Sequence, residues 1–439
     1  MYINNNKKFY QKSKKLTEFL NCEYDGVFYI GHASIMVRLN NKKYLFDTIE
    51  QSNFYNNSWC FFPSQVMDKR FFDVDGVFVS HIHQDHYDPR FLKKIQKKNI
   101  PIYILDGRES FYKSLRKNKI KFIKIPKKKK YYIDNKTWVY GCLHEYNDID
   151  SSMLIANDNL SVYHGNDNFI TKKSLIPFKK VVGHIDVGCI PFAFIHYYPY
   201  LLNDVSKSII KKEGNRLENQ FMDYGIQQTK ILKPNVVIPF GSNLFHIDNP
   251  NSLMNKAVAT PIDFVNYAKK KHSTMSKNYK TILSSSYCFK LNNKLTLFNE
   301  NISASHFNLK LKKFIYKQKK NKKKIIKIKA IIPTVKHLKI ITNKLKNISK
   351  KINHKILIGS KMSQNRKILI DLFNKKVSIY NNKILPDNCH YFHLEIKEYN
   401  MWLNKKITFE EVLGSRRFRY IRKPNLYNVN VMKTYTNYL

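Results

Sequence analysis

Apolar and polar residues alternate along many short segments of this 439-residue chain, and that pattern predicts β-strands. The predicted strands cover residues 26–38, 43–47, 76–80, 100–105, 137–145, 151–156, 160–164, 179–186 and 235–241. Helices are predicted between them, over residues 90–98, from residue 108 and over residues 215–232. Strands that alternate with helices predict an α/β fold, and the chain is long enough for two or three domains.

The densest cluster of chemically active side chains follows the third predicted strand. His81, His83, Asp85 and His86 place three imidazoles and a carboxylate in six consecutive positions, a density that a packed core tolerates only when the groups are paired. His81 and His83 alternate along an extended backbone and face the same way, while the turn that follows can aim Asp85 and His86 at a second point. The cluster ends in an Asp-Pro pair, which is typical of a helix start. The spacing therefore predicts two adjacent metal sites on a strand-to-helix loop.

Composition limits the partners and the location that we expect. Lys and Arg outnumber Asp and Glu by 78 to 32, for a formal net charge of +46. The lysines are spread along the whole chain, so nucleic acid is not the expected partner. The six cysteines lack paired spacings and the N-terminus lacks the apolar core of a signal peptide, which predicts a reducing cytoplasm. No uncharged apolar segment is long enough to predict a membrane span.

The His-x-His-x-Asp-His motif after a buried strand resembles the metallo-β-lactamase superfamily. The resemblance implies an αββα sandwich whose two similar halves share one metal site. It also implies that His144 completes the first site and that Asp167 bridges both metals, with Asp85 and Asp167 as the catalytic carboxylates. The last ligand is expected at His246, with His184 as its competitor. The supporting or alternative ligands are His32, Asp47, His184 and Asp186.

Several further segments resemble the metallo-β-lactamase-like part of CMP-N-acetylneuraminate hydroxylase and the bacterial UDP-N-acetylmuramate hydroxylases. They are His144-Glu, Asp150-Ser-Ser-Met-Leu-Ile, Asn166-Asp167, Asp186-Val-Gly-Cys, residues 232–245 and the closing residues 414–427. This resemblance implies hydroxylation of a nucleotide sugar with iron, O₂ and electrons from a Rieske [2Fe–2S] domain. The chain lacks the Cys-x-x-His motif that such a domain pairs with Cys-x-His. No on-chain iron–sulfur cluster is therefore expected, and a separate electron-transfer protein would be required.

The predicted domain organisation has four parts. These are a basic arm at residues 1–20, a metal-binding catalytic domain at 21–305, a lysine-rich linker at 306–324 and a C-terminal α/β extension at 325–439 with strands at 325–332, 377–380 and 391–396. The extension ends in an arginine-rich tail, in which Arg416, Arg419 and Arg422 lie three apart and are expected to share one helix face. That face is predicted to be either a solvated surface or a clamp for a phosphate or carboxylate of the substrate.

Two enzymatic functions remain open on the sequence alone. In the first, one or two ions of zinc, iron or manganese, held by histidines and carboxylates without thiolates, support hydroxylation of an anionic nucleotide sugar or acyl-amino sugar. In the second, two ions activate water to hydrolyse a lactone, amide or phosphodiester, with Asp85 or Asp167 handling the proton. A third, disfavoured interpretation is a nucleic-acid-binding protein or nuclease that binds an acidic polymer through its lysines.

Overall fold

The computed structural model describes residues 10, 12–145, 149–193, 195–242, 244–248, 253–257, 259–280, 286–298, 304–320, 329–348, 351–360, 366–426 and 428–439. Its first elements are α1 (Lys14–Asn21), β1 (Gly26–Gly31), β2 (Ser34–Leu39), β3 (Lys42–Phe46), β4 (Asn53–Phe54), β5 (Trp59–Phe61), β6 (Gly76–Phe78), α2 (Pro89–Lys97), β7 (Ile102–Leu105), α3 (Glu109–Lys117) and β8 (Ile123–Ile125). The middle of the chain contributes β9 (Tyr131–Tyr132), β10 (Trp138–Leu143), β11 (Ser151–Ala156), β12 (Ser161–His164), α4 (Lys172–Val182), β13 (Val187–Pro191), α5 (Lys207–Leu232), β14 (Val236–Phe240), β15 (Leu244–His246), α6 (Leu253–Ala257), α7 (Pro261–Lys271), β16 (Ser286–Leu291) and β17 (Lys294–Phe298). The last elements are α8 (Ala304–Lys320), α9 (Val335–Leu345), β18 (Lys355–Ser360), β19 (Lys367–Asp371), β20 (Lys376–Tyr380), β21 (Cys389–Leu394), α10 (Ile396–Leu403), α11 (Phe409–Ser415), β22 (Phe418–Lys423) and α12 (Val429–Tyr438).

Two β-sheets pack face to face and are covered by helices on their outer faces. The first sheet has eight strands in the spatial order β17-β16-β1-β2-β3-β6-β7-β8, and the second has six in the order β14-β13-β12-β11-β10-β9. Their inner faces form one core, which contains Val37 of the first sheet and Ile155 of the second. Phe91 of α2 belongs to the core outside the first sheet, and Ile226 of α5 to the core outside the second. The predicted αββα sandwich is confirmed.

Strand direction brings several loops to one edge of the sandwich. In the first sheet β1 and β3 are both antiparallel to β2, and β6 is parallel to β3, so β1, β3 and β6 end at the same edge. In the second sheet β12 and β13 run parallel, with Val162 paired to Val187. Residues that follow the carboxyl ends of these strands are therefore the ones that can meet in a shared site.

The N-terminal segment differs from the expected peripheral arm. Residues 14–21 form α1, whose Leu16 and Phe19 are fully buried. The Phe19 ring stacks on Phe289 of β16 with 5.2 Å between ring centroids. The alternation of apolar and basic residues in this segment reflects an amphipathic helix, because its two large apolar side chains lie three apart on one face.

Residues 179–186 also differ from the prediction, because they do not form a strand. Residues up to Val182 belong to α4, where Leu175 and Phe178 are buried at helical spacing, and the strand β13 begins only at Val187. Gly183 ends the helix with a φ of +75°, a backbone conformation that glycine adopts without strain. The apolar run after residue 186 is therefore the buried strand of this region.

The C-terminal part of the chain forms a second unit. Its sheet has five strands in the order β20-β19-β18-β21-β22, with α9 to α12 packed around it. Its core also includes Tyr197, Leu201 and Leu202 from the segment after β13, so the two units share buried surface. Where a linker was predicted, residues 304–320 form α8, whose Phe307 and Phe314 pack against Phe62. Of the predicted strand at 325–332, residues 325–328 lie outside the described part, and residues 329–332 are not in a strand.

A third, small sheet joins the segment after β3 to the segment after β14. Its strands lie in the order β15-β5-β4, and His246 of β15 pairs with Trp59 of β5. This sheet lies beside the C-terminal unit, because the indole Nε1 of Trp59 donates a hydrogen bond to the Gly414 carbonyl over 2.8 Å. Among the helices that the structure describes, none has the length and apolarity needed to cross a membrane.

Candidate metal centre

The histidine-rich loop connects β6 to α2, as its sequence predicts. It contains a tight turn, in which the amides of His86 and Tyr87 both donate to the carbonyl of His83, over 3.0 and 2.8 Å. The Asp88 carboxylate then accepts from the amides of Arg90 and Phe91 and caps α2. The turn separates the loop into an extended half and a folded half, so its side chains point to two neighbouring positions.

The extended half of the loop contributes to a first group of potential ligands. Nε2 of His81 lies 2.7 Å from Nδ1 of His83, and one ring nitrogen of each histidine lies within 4.8 Å of a carboxylate oxygen of Asp167. Asp167 comes from the loop after β12, on the opposite sheet. The other nitrogen of His81, Nδ1, lies 3.1 Å from the hydroxyl of Ser80. Because that hydroxyl donates to Asp47, it can accept from Nδ1–H and leave Nε2 of His81 free to bind a metal.

The folded half of the loop contributes to a second group. Oδ2 of Asp85 lies 3.2 Å from Nε2 of His32 and 3.6 Å from Nε2 of His86. Asp167 lies between the two groups, since its Oδ2 is 3.4 Å from Nε2 of His86. His32 follows β1, so its position at this edge of the sandwich results from the shared direction of β1, β3 and β6.

The donor atoms of the second group fit a metal ion better than they fit one another. Nε2 of His32 and Nε2 of His86 are buried and form no hydrogen bond within the described part of the chain, although carboxylate oxygens lie 3.2 to 3.6 Å away. Buried polar atoms are almost always paired. Converging imidazole nitrogens and carboxylate oxygens without hydrogen bonds are the arrangement that a divalent ion would satisfy.

Asp47 supports this arrangement from behind the loop. It is fully buried at the end of β3 and accepts hydrogen bonds from the Ser80 amide over 2.7 Å and from the Ser80 hydroxyl. Its Oδ2 also lies 2.9 Å from Nδ1 of His86. Burial alone would raise the pKa of Asp47, but the hydrogen bond and the charge of His86 outweigh burial and lower that pKa. The ionised carboxylate therefore holds Nδ1 of His86 as the protonated nitrogen and directs Nε2 into the cluster.

Four other predicted positions lie outside these groups. His246 is buried against Trp59, with its Nε2 3.1 Å from the Ser415 carbonyl, and it belongs to none of the ligand groups formed by described residues. His144 is also in none of the groups that the described chain forms; its amide donates to the Asp150 carbonyl. The His184 side chain is half exposed. Asp186 precedes β13 and pairs with Lys290 over 2.9 Å. Both of these residues lie at the edge where β12 and β13 begin, opposite the loop.

The C-terminal unit contributes residues that the sequence motif did not indicate. Oε1 of Glu410, in α11, lies 3.3 Å from Nε2 of His83. The neighbouring Glu411 accepts a hydrogen bond from the side chain of Gln84 over 2.8 Å. Burial would lower the pKa of His83, but the hydrogen bond and charge of Glu410 outweigh it and raise that pKa to about 9. A sequence signal existed only for the helix itself, because Thr408 and Glu411 have the spacing of a capping box.

The arginine-rich tail does not form the expected helix face, because residues 418–423 are the strand β22. Arg416 ends α11 in the left-handed backbone region, and its guanidinium lies over the Tyr197 ring at 5.3 Å. Arg419 is exposed and donates to the Tyr200 carbonyl. Arg422 lies over the Tyr198 ring at 4.3 Å. Side chains three positions apart on a strand point to opposite faces, so Arg419 and Arg422 cannot bind one ligand together.

Arg416 is the one tail arginine whose charge interacts with the metal loop. Its side chain donates to the carbonyls of Leu413 and Ile195, over 2.6 and 3.3 Å. Its Nε is buried and has no hydrogen-bond partner in the described chain. Burial lowers the pKa of Arg416, and the negative charge of Asp85 opposes that effect. The guanidinium of Arg416 therefore interacts electrostatically with Asp85 of the metal loop.

Comparisons of this chain with known proteins found one short sequence match and several solved structures of similar fold. No family model matches it. A segment of 79 residues, 18% of this chain and 15% of the other protein, is 32% identical to a protein of Mycolicibacterium smegmatis provisionally named a Rieske 2Fe-2S iron–sulfur protein. The match thus spans much less than two thirds of that relative.

Solved structures with a similar arrangement share little sequence with this chain. Igni18, a metallo hydrolase from Ignicoccus hospitalis, is 14% identical with a TM-score of 0.41, over 63% of this chain and 99% of that chain. CmlA, a diiron β-hydroxylase from Streptomyces venezuelae, is 16% identical with a TM-score of 0.37, over 57% of this chain and 52% of that chain. An isothiocyanate hydrolase from Delia radicum gut bacteria is 13% identical with a TM-score of 0.40, over 63% and 100%. Identities of 13 to 16% show a likeness of fold alone.

Proposed function

We propose that this protein is a dinuclear metal-dependent hydrolase of the metallo-β-lactamase fold that acts on an anionic small molecule. The position of Asp167 carries the proposal, because this carboxylate groups with His81 and His83 while its Oδ2 lies 3.4 Å from Nε2 of His86 in the neighbouring group. A carboxylate between two sets of imidazoles supports two adjacent ions bridged by one residue. The donors are nitrogen and oxygen only, which suits zinc, iron or manganese.

The chain's own residues have distinct tasks in this proposal. Two bound divalent ions would supply a water of lowered pKa and polarise the scissile group. The two ligand sets would be His81, His83 and Asp167, and His32, Asp85 and His86. Asp167 is the more accessible carboxylate, with 35% of its side chain exposed against 9% for Asp85. Asp167 therefore has the better access for accepting the proton of the attacking water in addition to its place in the ligand set, whereas Asp85 would act as a ligand alone.

An anionic substrate is supported by Arg416. Its guanidinium retains one donor without a protein partner in the described chain, and it interacts electrostatically with the metal loop at Asp85. A buried cation with a free donor is costly unless a ligand completes its hydrogen bonds. A carboxylate or phosphate group of the substrate would satisfy it and would orient the scissile bond towards the two ligand groups.

Hydroxylation is the second candidate, and the comparison with the Rieske protein favours it. A 79-residue match to an iron–sulfur protein agrees with the resemblance of this chain to nucleotide-sugar hydroxylases. In that case a separate electron-transfer protein would supply the electrons, since this chain has no Cys-x-x-His motif and therefore lacks the two ligand pairs of a Rieske cluster. A nucleotide sugar or acyl-amino sugar would then be the substrate, and Arg416 would bind its phosphate or carboxylate.

Metal analysis of the purified protein tests the proposal and separates the two candidates. We expect two divalent ions per chain in the wild type, and loss of at least one in the doubly substituted His81→Ala, His83→Ala protein. His184→Ala is the matched control, because this half-exposed histidine lies at the opposite edge. Two ions with turnover of phosphodiester, lactone or amide probes under nitrogen would support hydrolysis. Iron with substrate-dependent O₂ consumption after reduction would support hydroxylation, and wild-type protein that binds no divalent ion would contradict both.

A further inference from the structure

We infer that Glu410 is a positioning residue for the metal centre: it orients His83 from the C-terminal unit, so that the site of His81, His83 and Asp167 is complete only when α11 is docked. This inference rests on the proposed function, since it assumes that His83 binds a metal. Two contacts of the His83 ring support it. Nδ1 of His83 faces Nε2 of His81 at 2.7 Å, and the opposite ring nitrogen, Nε2, faces the Glu410 carboxylate at 3.3 Å.

The two nitrogens of an imidazole have coupled roles. A carboxylate that accepts from one ring N–H fixes the tautomer, which leaves the lone pair on the other nitrogen available to a metal. Glu410 lies on the side of His83 that faces away from the cluster. It therefore directs the Nδ1 lone pair of His83 towards the position that Nε2 of His81 and Asp167 share.

The other two loop histidines receive this support from within their own domain. The acceptor for Nδ1 of His86 is Asp47, 39 positions earlier, and His81 has the adjacent Ser80 hydroxyl. The side chains of His81 and His86 are fully buried, whereas 32% of the His83 side chain is exposed. Among the three histidines, His83 is therefore the one least confined by packing and the one whose acceptor comes from the distant unit.

Contacts beside the pair hold α11 in a defined position over the loop. Glu411 accepts from the Gln84 side chain over 2.8 Å, and the Gly414 carbonyl accepts from the indole of Trp59 over 2.8 Å. Arg417, just after the helix, pairs with Asp248 of the catalytic domain over 2.6 Å. An isolated surface ion pair contributes little to stability. A carboxylate held against a ligand histidine by a docked helix has a different effect, because it changes how well that histidine binds metal.

The test measures metal binding, in the full-length protein, for Glu410→Ala, Glu410→Gln and the control Glu411→Gln. Glu411 is on the same helix, and glutamine there retains one of the two acceptor oxygens by which Glu411 accepts from Gln84 and from the Thr408 amide. Apo protein is titrated with Zn²⁺ against a chelator, and with Co²⁺ while its d–d absorption is recorded. We expect Glu410→Ala to weaken one of the two ions by about 10- to 100-fold, which is typical for loss of such a carboxylate, and to alter the Co²⁺ spectrum.

The remaining outcomes separate this inference from the proposed function. Glu410→Gln retains an acceptor oxygen, so we expect an intermediate loss of affinity, and this variant also serves if the alanine variant does not fold. Wild-type affinity for both ions in Glu410→Ala and Glu410→Gln would overturn the inference and leave the proposed function intact. An equal loss in Glu411→Gln would also overturn it, because helix docking in general, and not the Glu410 contact, would then be responsible. Failure of the wild type to bind Zn²⁺ or Co²⁺ would instead overturn the proposed function.

Discussion

Gly414→Ala should separate the C-terminal helix α11 from the segment beside the metal loop. A Cβ atom at Gly414 would lie 2.3 Å from Cδ1 and Cε1 of Tyr55 and 2.9 Å from Cγ. Non-bonded carbon atoms prefer separations of about 3.5 to 4.0 Å, so the helix or the ring must move by about 1 Å or more. The ring cannot move freely, because the Tyr55 amide donates to Gln84 over 2.6 Å and the ring contacts Phe54.

The magnitude follows from two opposing effects. Overpacking of this kind costs about 1 to 3 kcal/mol of unfolding free energy. Replacing glycine by alanine in a helix interior gains up to about 1 kcal/mol, and less here because Gly414 lies one residue before the helix end. The net effect should therefore be a loss of about 1 to 2 kcal/mol for Gly414→Ala.

A double-mutant cycle tests whether Tyr55 is the cause. Tyr55→Ala removes the ring that the new Cβ would meet, so Gly414→Ala should cost almost nothing in that background. The unfolding free energies of the wild type, both single variants and the double variant are measured by denaturant titration, and the expected coupling is about 1 to 2 kcal/mol. Costs that add to within about 0.5 kcal/mol would refute the reasoning, since Tyr55 and Gly414 would then not be in contact.

Three further predictions concern the rest of the molecule. Phe19→Ala should lower the free energy of unfolding by about 3 to 5 kcal/mol because the ring is fully buried. Lys14→Ala is the control, because Lys14 is an exposed residue of the same helix. Equal losses for the two variants in denaturant titration would contradict the packing of α1. Burial raises the pKa of the Glu218 carboxyl to about 8 from an ordinary 4.5. Between these two pH values the unfolded chain releases a proton that the folded chain keeps. The free energy of unfolding should therefore fall as pH rises from about 4.5 to 8, by up to about 1.4 kcal/mol per pH unit. Glu218→Gln should flatten this dependence, and an unchanged pH profile of the unfolding midpoint would argue against it. Binding of RNA or DNA through dispersed lysines should be weak and lost near 0.15 M salt, and tight binding in a filter assay at that ionic strength would show a nucleic-acid site.

The sequence by itself determined the local structure of the metal loop and the class of fold. The apolar run before Ser80, the alternation of His81 and His83 and the Asp-Pro pair each act over a few residues, so a strand, a loop and a helix could be predicted from them. The alternation of strands and helices indicated an α/β fold for the same reason, whereas the two packed sheets were implied by the resemblance to the metallo-β-lactamase superfamily. The N-terminal arm and the linker were different from the prediction, because a lysine-rich composition obscured the few apolar side chains, such as Phe19 and Phe307, that pack those helices against the core.

Only the tertiary structure decided which distant residues join the loop. His32 approaches Asp85 because β1, β3 and β6 run in one direction, and that alignment depends on sheet order rather than on any local pattern. The spacing of Arg416, Arg419 and Arg422 is compatible with a helix, but pairing with β21 makes this segment a strand and separates the three side chains. Glu410 reaches His83 across 327 positions of the chain because a second folded unit docks beside the first. Such contacts arise from the packing of whole units, whose free energy is spread over many side chains, and so no short segment of the sequence specifies them.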